Sequence, residues 1–191
     1  MLATTDRDHR ARVLAGGATA CLLWFAVALA AMHVLRPDFV PRSHFISEYA
    51  VGDYGWVMTS AFLALSAACA MLAVGLALSG PGGVLAGLAS VLFGVAAVGL
   101  ALTAIYETDL PGTPLTPAGE IHEITFRVNT LSILTGALLS CLAFGRSPRW
   151  RPYRLMGGTL FALVLAAAIG QVLTLRKGAP YGYANRIFAA T

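Results

Sequence analysis

The chain has 191 residues, of which 58% are hydrophobic and only 12% are charged, and its mean hydropathy is +0.74. Roughly a quarter of the residues in soluble domains carry charge, so this composition excludes a soluble globular domain and predicts a protein embedded in lipid. The net charge of +4 does not indicate nucleic-acid binding, because the basic residues form short clusters at the ends of apolar segments, where they act as topology signals.

Five apolar segments separated by polar loops predict an all-α fold, a polytopic membrane helical bundle forming a single integral membrane domain over residues 1–191. A helix rises 1.5 Å per residue, so a segment of about 20 residues crosses a hydrocarbon core of ~30 Å. The first segment also resembles a secretory signal, but it is longer than the usual signal core. The predicted membrane-spanning helices are approximately residues 13–35, 57–78, 84–106, 124–144 and 155–175.

Basic residues predict the orientation of the bundle in a cell membrane. With a cytoplasmic N-terminus, the internal outer loops carry only Arg36 and Arg42, and the positive-inside rule is satisfied. Three further basic residues of the tail would then lie outside, which weakens the rule at that end. The basic residues placed on the cytoplasmic side are Arg7, Arg10, Arg12, Arg146, Arg149, Arg151 and Arg154.

Small residues recur at helical spacing along the third segment. Such a ridge lets the backbone of a second helix approach closely, which is how helices associate in lipid. We therefore predict a partner helix or a homo-oligomer along this ridge, which consists of Gly83, Gly87, Ser90, Gly94, Ala97 and Ala101. The three cysteines also fall inside apolar segments, where they are expected to pack as small residues and not to form a disulfide or metal framework; they are Cys21, Cys69 and Cys141.

The fourth segment has a polar stripe at spacings of three and four residues, which predicts that this face points toward the bundle interior. Glu123 and Arg127 are four residues apart on another face. An arginine inside the membrane is costly unless it is paired, so Glu123 or a loop acid is expected to compensate Arg127. The stripe consists of His122, Thr125, Asn129, Ser132, Gly136 and Ser140.

The stretch Arg42–Trp56 is a polar segment between two long apolar segments. Read as a short helix, it places His44, Ser47 and Glu48 on one face, because positions three and four apart are neighbours. Residues 107–120 contain three prolines and two glycines and are expected to form a loop. Residues 176–191 are expected to be a polar tail that is too short to span the membrane.

Histidines and acids gather at the predicted outer face, and four of them are candidate catalytic residues: His44, Glu48, Asp109 and His122. We predict that their side chains share one cavity open to the outer leaflet, where they would act as acid and base on a lipid headgroup. Imidazole and carboxylate ligands suit zinc, which would activate water. No His-x-x-x-His or His-Glu-x-x-His motif is present, so the cofactor is left open, with zinc as a candidate.

Several short motifs carry a resemblance that covers nearly the whole chain: residues 45–50, Phe-Ile-Ser-Glu-Tyr-Ala, then Thr108-Asp109, His122, and residues 182–187, Gly-Tyr-Ala-Asn-Arg-Ile. With these motifs the chain resembles the bacterial and archaeal membrane family of domain of unknown function 998. It is more remotely similar to the Frag/DRAM/Sfk group of six-helix proteins, some of which are tied to remodelling of lipid anchors. The resemblance implies six helices, whereas here the sixth is apparently missing after Arg186.

Two functional classes stay open. The first is a site that binds or modifies a lipid headgroup, with membrane lipids as its partners. The second is a non-enzymatic scaffold, sensor or subunit, in which the polar residues only stabilise the bundle. In that case Ser47 and Glu48 would hydrogen-bond the loop backbone and pair with Arg42 or Arg127, and His122 and Asn129 would bridge helices. Whether the protein is an enzyme is not decided by its sequence, and no cofactor-binding residues are assigned.

Overall fold

A computed structural model describes residues 2–176 and 179–191, and the side chains from Asp6 onward within those ranges. Six α-helices form this part of the chain, which contains no strand. Two short 3-10 helices, Ile46–Ala50 and Arg151–Tyr153, lie in the connections. The α-helices are α1 Leu2–Leu35, α2 Gly55–Ser79, α3 Gly83–Ile105, α4 Pro117–Arg146, α5 Arg154–Thr174 and α6 Tyr181–Ala190.

The helices α1 to α5 are long and apolar enough to cross a membrane, which confirms the five predicted spans and the multi-pass membrane fold. The bounds differ at two starts. α1 begins at Leu2 and continues through the charged segment that precedes its apolar part. α4 begins at Pro117 and not near residue 124, because Thr116 caps it by accepting a hydrogen bond from the Gly119 N–H at 3.1 Å and proline suits the first helical position. The predicted loop over residues 107–120 is therefore shorter than expected.

The predicted polar tail, residues 176–191, contains the sixth helix, α6. Its ten residues reach only about 15 Å, so α6 does not cross the hydrocarbon core by itself. The sequence-based view that a sixth helix is missing is thus wrong, because α6 is a sixth helix. Five helices of the described residues are long and apolar enough to span a membrane, and α6 is not one of them.

Consecutive helices pack against each other in chain order, most closely α1 with α2, α2 with α3 and α3 with α4. At one end of the bundle, Arg149 Nη2 lies 3.2 Å from Asp8 Oδ1 and Ser79 Oγ donates to the Arg7 carbonyl at 3.4 Å. The N-terminal part, the α2–α3 turn and the α4–α5 connection therefore share this end. We call the other end, which carries residues 36–54, residues 106–116 and α6, the loop end. The cytoplasmic location of the N-terminus stays a prediction.

The polar stripe on α4 is buried in the bundle, as predicted. Its Thr125 hydroxyl lies 3.0 Å from the hydroxyl of Thr103 on α3, and Asn129 Nδ2 donates to Thr103 Oγ1 at 3.1 Å. A Cβ atom at Gly99 would lie 1.9 Å from Asn129 Oδ1, so a side chain at this point of α3 would displace the Asn129 amide of α4. Small and polar residues therefore hold α3 and α4 together, as is usual for helices in lipid.

One part of the small-residue ridge on α3 packs against α2, and another part faces open space. Ser90 donates a hydrogen bond to the Ala73 carbonyl and packs the ridge on α2. Gly87 and Gly94 have open space where a side chain would point. A partner helix or homo-oligomer along this ridge stays a prediction.

Arg127 and Glu123 form the expected ion pair, but both side chains are more than half exposed on the outside of the bundle. Cys21, Cys69 and Cys141 are free thiols in α1, α2 and α4.

Candidate functional site

At the loop end, α6 docks against the connection between α1 and α2. The Gly182 N–H donates to the Arg42 carbonyl at 3.1 Å. A Cβ atom at Gly182 would lie 2.3 Å from the Pro41 carbonyl oxygen and 2.6 Å from that of His44. These are backbone atoms that cannot rotate away, so this contact requires glycine.

Side chains of α6 extend the contact along the same connection. Asn185 is buried, and its Oδ1 accepts a hydrogen bond from the Ile46 backbone N–H at 2.9 Å. Tyr181 donates its hydroxyl proton to the Ser43 carbonyl, and its ring lies 4.7 Å from the ring of Phe45. The two sequence segments that begin at Phe45 and at Gly182, far apart in the chain, therefore form one structural unit.

Arg186 occupies the centre of this unit. Its guanidinium donates five hydrogen bonds, and every acceptor is a neutral group. An arginine is always protonated, so all five bonds are charge-assisted. The acceptors are His33 Nε2 at 2.8 Å, Tyr49 Oη at 3.0 Å, and the carbonyl oxygens of Pro41 at 3.1 Å, His44 at 2.7 Å and Gly182 at 3.0 Å.

These bonds define the proton positions on the neighbouring side chains. Because Arg186 donates to His33 Nε2, the His33 proton lies on Nδ1, which is 2.7 Å from the Leu29 carbonyl oxygen. Tyr49 is fully buried; its hydroxyl accepts from Arg186 and donates to the Phe39 carbonyl at 3.3 Å. His33 and Tyr49 therefore connect the α6 arginine to α1 and to the 3-10 helix.

Arg36 fastens the other half of the connection. Its Nη1 donates to the carbonyl oxygens of Val51 at 2.8 Å and Asp53 at 3.0 Å, while its Nε and Nη2 donate to the Asp38 carboxylate. The hydrogen bond from Arg36 lowers the pKa of Asp38 below its ordinary value. The guanidinium also lies over the Phe39 ring, 4.1 Å from its centroid, so the segment before α2 is held to the end of α1.

Glu48 differs from its neighbours because one oxygen of its buried carboxyl group, Oε2, has no hydrogen-bond partner. Its exposed fraction is 2%, and Oε2 forms no hydrogen bond. The nearest cation-forming group is His44, whose Nε2 lies 3.9 Å from Oε2, beyond hydrogen-bond range. His44 is oriented by Nδ1, which lies 3.1 Å from the Val40 carbonyl oxygen, and its side chain is 24% exposed. The pair therefore has one buried and one accessible member.

Burial raises the pKa of Glu48 above its ordinary value, because a carboxylate loses hydration there. A backbone hydrogen bond from Phe45 and the charges of His44 and Arg186 oppose this effect. The raised pKa means that burial in the folded protein disfavours the ionised carboxylate relative to the protonated acid.

Asp109 and His122 fasten the α3–α4 connection. Asp109 accepts hydrogen bonds from the Thr116 N–H at 2.8 Å and hydroxyl at 2.9 Å, and a Cβ atom at Gly119 would lie 1.9 Å from its Oδ2. His122 is buried, with Nδ1 2.8 Å from the Tyr106 carbonyl oxygen. Both residues thus have structural partners at the start of α4.

The four predicted site residues fall into two groups. The structure brings His44 to Glu48, and it places Asp109 and His122 at the α3–α4 connection; no described contact joins the groups. Convergence of all four in one cavity stays a prediction. Among residues 2–176 and 179–191, no group of three or more His, Cys, Asp or Glu side chains has the geometry to hold a metal ion, so the described donors do not form a zinc site of the usual three or four ligands.

Glu48 forms no ion pair with Arg42 or Arg127 among the described residues; Arg127 pairs with Glu123. This corrects the ion pairs considered for Glu48 from the sequence, whereas the hydrogen bond to loop backbone considered there is present from Phe45. Sequence reasoning also missed Arg186, His33 and Tyr49 as parts of this unit. The available signal was the spacing of Gly182, Asn185 and Arg186, which places them on one face of a helix.

A groove begins beside this unit and extends along α1 toward the middle of the bundle. Its volume is about 730 Å³. From His33 to Leu22 it follows eleven helical steps, or about 17 Å, which is roughly one leaflet of a ~30 Å hydrocarbon core. His33 is the residue that Arg186 binds, so the groove and the docked α6 are continuous. The lining residues are Leu22, Phe25, Ala26, Leu29, Ala30, His33, Leu65, Ala189, Ala190 and Thr191.

A comparison with protein-family models finds one described as a protein of unknown function, DUF998, which matches residues 19–191. No curated protein and no solved structure matches the chain.

Proposed function

The chain belongs to the DUF998 family of membrane proteins, and from this premise we propose that it binds a membrane lipid at the loop end of the bundle, with the headgroup held by His44 and Glu48. One observation carries the proposal: the Glu48 carboxyl group is 2% exposed and its Oε2 has no hydrogen-bond partner. A buried polar atom without a partner costs about 1–3 kcal/mol, which a ligand that supplies the missing hydrogen bond would recover.

The gap between the two side chains suits a single polar group. The 3.9 Å between His44 Nε2 and Glu48 Oε2 is too long for a direct hydrogen bond, and an oxygen or nitrogen atom would bridge them at about 2.8 Å from each once the partly exposed His44 side chain moves to open Oε2. Headgroup hydroxyl and ammonium groups have this size and donate protons. We therefore expect a headgroup that carries a hydroxyl or an amine.

His44 and Glu48 would have different roles in binding the headgroup. The accessible imidazole of His44 meets the headgroup from the membrane surface, with Nδ1 held by the Val40 carbonyl so that Nε2 faces Glu48. Glu48 then receives a hydrogen bond, or a proton, from the headgroup, and its raised pKa suits proton exchange. Binding with proton exchange is the step that these groups support.

The apolar part of the lipid would lie in the groove along α1. Eight of its ten lining residues are apolar, and it extends over about one leaflet from the loop end. His33 marks the end nearest the headgroup, next to Arg186. In this proposal the tail lies in the groove and the headgroup at the His44–Glu48 pair, and Arg186 connects the two because it binds both His33 of the groove and the His44 carbonyl.

The test is lipid retention by purified protein. The protein would be extracted in mild detergent from membranes, and the lipids that remain bound would be identified by native mass spectrometry. We expect Glu48→Gln and His44→Asn to reduce retention about tenfold or more, since each removes one of the two headgroup contacts. Glu107→Gln is the matched control, because Glu107 is an exposed acid at the same end.

Equal retention by all four proteins would overturn the headgroup site and leave the second candidate, a non-enzymatic scaffold. The observation that favours a scaffold is the five neutral acceptors around Arg186, which bind α6 to the bundle without any ligand. A scaffold would keep its lipids in these variants and would lose the α6 contact only on substitution of Arg186 or Gly182.

A further inference from the structure

A second groove lies between α4, α5 and α6, separate from the groove beside α1. Its volume is about 330 Å³, near the lower end of the range for ligand pockets. Along α5 it extends from Leu165 to Leu175, ten helical steps or about 15 Å, which again corresponds to one leaflet. It is lined by Phe126, Thr130, Leu131, Leu134, Leu165, Ala168, Ile169, Gln171, Val172, Leu173, Leu175 and Phe188.

Gln171 is the exceptional member of this lining. Its exposed fraction is only 5%, and its amide oxygen, Oε1, is buried without a hydrogen-bond partner. The other lining side chains are apolar except for the hydroxyl of Thr130. A buried amide oxygen without a partner destabilises the fold. An acceptor held in this way calls for a donor from outside the chain.

The position of Gln171 along the bundle limits what that donor can be. It lies in the last turn of α5, which ends at Thr174 at the loop end, so it sits close to the membrane surface. Phe188 of α6 lines the groove at the same end. No charged side chain is among the lining residues, so the groove offers nothing to neutralise a phosphate.

We propose that this groove binds a single-chain or compact apolar lipid whose polar part is one hydroxyl group, with the hydroxyl donating to the Gln171 amide oxygen after the amide turns toward the groove. Long-chain alcohols, isoprenoid alcohols and the free hydroxyl of a diacylglycerol share this chemistry. Their apolar part would contact α4 and α5, and their hydroxyl would reach the level of Gln171. A charged phospholipid headgroup does not match this lining.

The experiment compares two probes that differ only in the donor. Purified protein in detergent is titrated with dodecanol and with its methyl ether, and binding is followed by thermal shift and by native mass spectrometry. We expect dodecanol to bind about 3- to 10-fold more tightly than the ether, because one hydrogen bond contributes about 0.5–1.5 kcal/mol. Gln171→Leu should remove this preference and bind both probes alike, while Thr130→Val keeps it.

Equal binding of the two probes by the parent protein, or the same preference in Gln171→Leu, would overturn the proposal. Failure of both probes to bind, together with cross-linking from a residue of this groove to a second polypeptide, would show that a helix covers it instead. If Gln171→Leu does not fold, Gln171→Met serves as the apolar variant of similar length. The result does not depend on the His44–Glu48 site, since neither residue lines this groove.

Discussion

Replacing Glu48 by glutamine should stabilise the protein at neutral pH, and this prediction separates a functional carboxyl group from a structural one. Burial raises the pKa of Glu48 in the folded state. A group whose folded pKa is raised contributes stability that is fully present below its unfolded pKa and is lost as pH rises through the folded value. The parent protein should therefore lose stability as pH rises from about 4.5, and Glu48→Gln should not show this component.

The magnitude follows from the buried charge, because glutamine keeps an unpartnered polar atom at this position and removes only the charge of the ionised carboxylate. Leaving a buried polar group unsatisfied costs about 1–3 kcal/mol, and more when the group is charged. For a chain of this size, 1 kcal/mol shifts the melting temperature by roughly 2–4 °C. We expect Glu48→Gln to raise Tm by about 2–12 °C at pH 8 and to leave it nearly unchanged at pH 4.

The assay is thermal unfolding of detergent-purified protein between pH 4 and pH 8, with Glu107→Gln as the exposed control. A lower Tm for Glu48→Gln at pH 8 would refute the reasoning, because it would show that the Glu48 carboxylate stabilises the fold, through the charge of Arg186. A gain in stability together with a loss of lipid retention is the behaviour expected of a residue kept for function at a cost in stability.

Three further predictions test the architecture. Gly182→Ala should lower stability by about 1–3 kcal/mol, because its Cβ would overlap backbone carbonyls. The control, Gly158→Ala, should not lower stability, because the space around Gly158 is open. Equal Tm values for the two variants would contradict the docked α6. Arg127→Ala should change stability by no more than about 0.3–0.5 kcal/mol because its pair is exposed; a larger fall would place the pair in hydrocarbon. A cysteine at Thr113 should react with an impermeant reagent from outside intact cells and one at Ser147 should not, and the reverse pattern would invert the predicted orientation.

The membrane-spanning helices could be predicted because a single constraint, apolar length, decides them. The buried face of α4 could be predicted for a related reason: its five polar residues and Gly136 recur at helical spacing, and all six are buried in the structure. In both cases the information lies within one helix. The predicted start of α4 near residue 124 is wrong because the prediction treats Pro117 as a loop residue, although proline is well suited to the first turn of a helix.

The arrangement at the loop end could be predicted only in part. His44 and Glu48 are four residues apart, and that local spacing correctly brought them together. The contacts of Arg186 with His33 and Tyr49 join residues 153 and 137 positions apart, and no local pattern encodes them. The prediction joins Asp109 and His122 to His44 and Glu48 only by residue type and by membrane side. In the structure, Asp109 and His122 each have a backbone partner in the α3–α4 connection.

Arg186 and Glu48 differ in whether their polar atoms have partners, and this difference makes Glu48 the stronger candidate for a functional residue at the loop end. Arg186 carries a permanent charge, yet five neutral acceptors satisfy its donors, so its position is explained by folding alone. Glu48 is more deeply buried and has an oxygen that nothing satisfies, although the same connection supplies many backbone donors. Packing does not explain why a carboxyl group occupies this position, because a glutamine or methionine of similar volume would avoid the cost of desolvating a charge. A ligand that bonds to the unsatisfied oxygen would explain it.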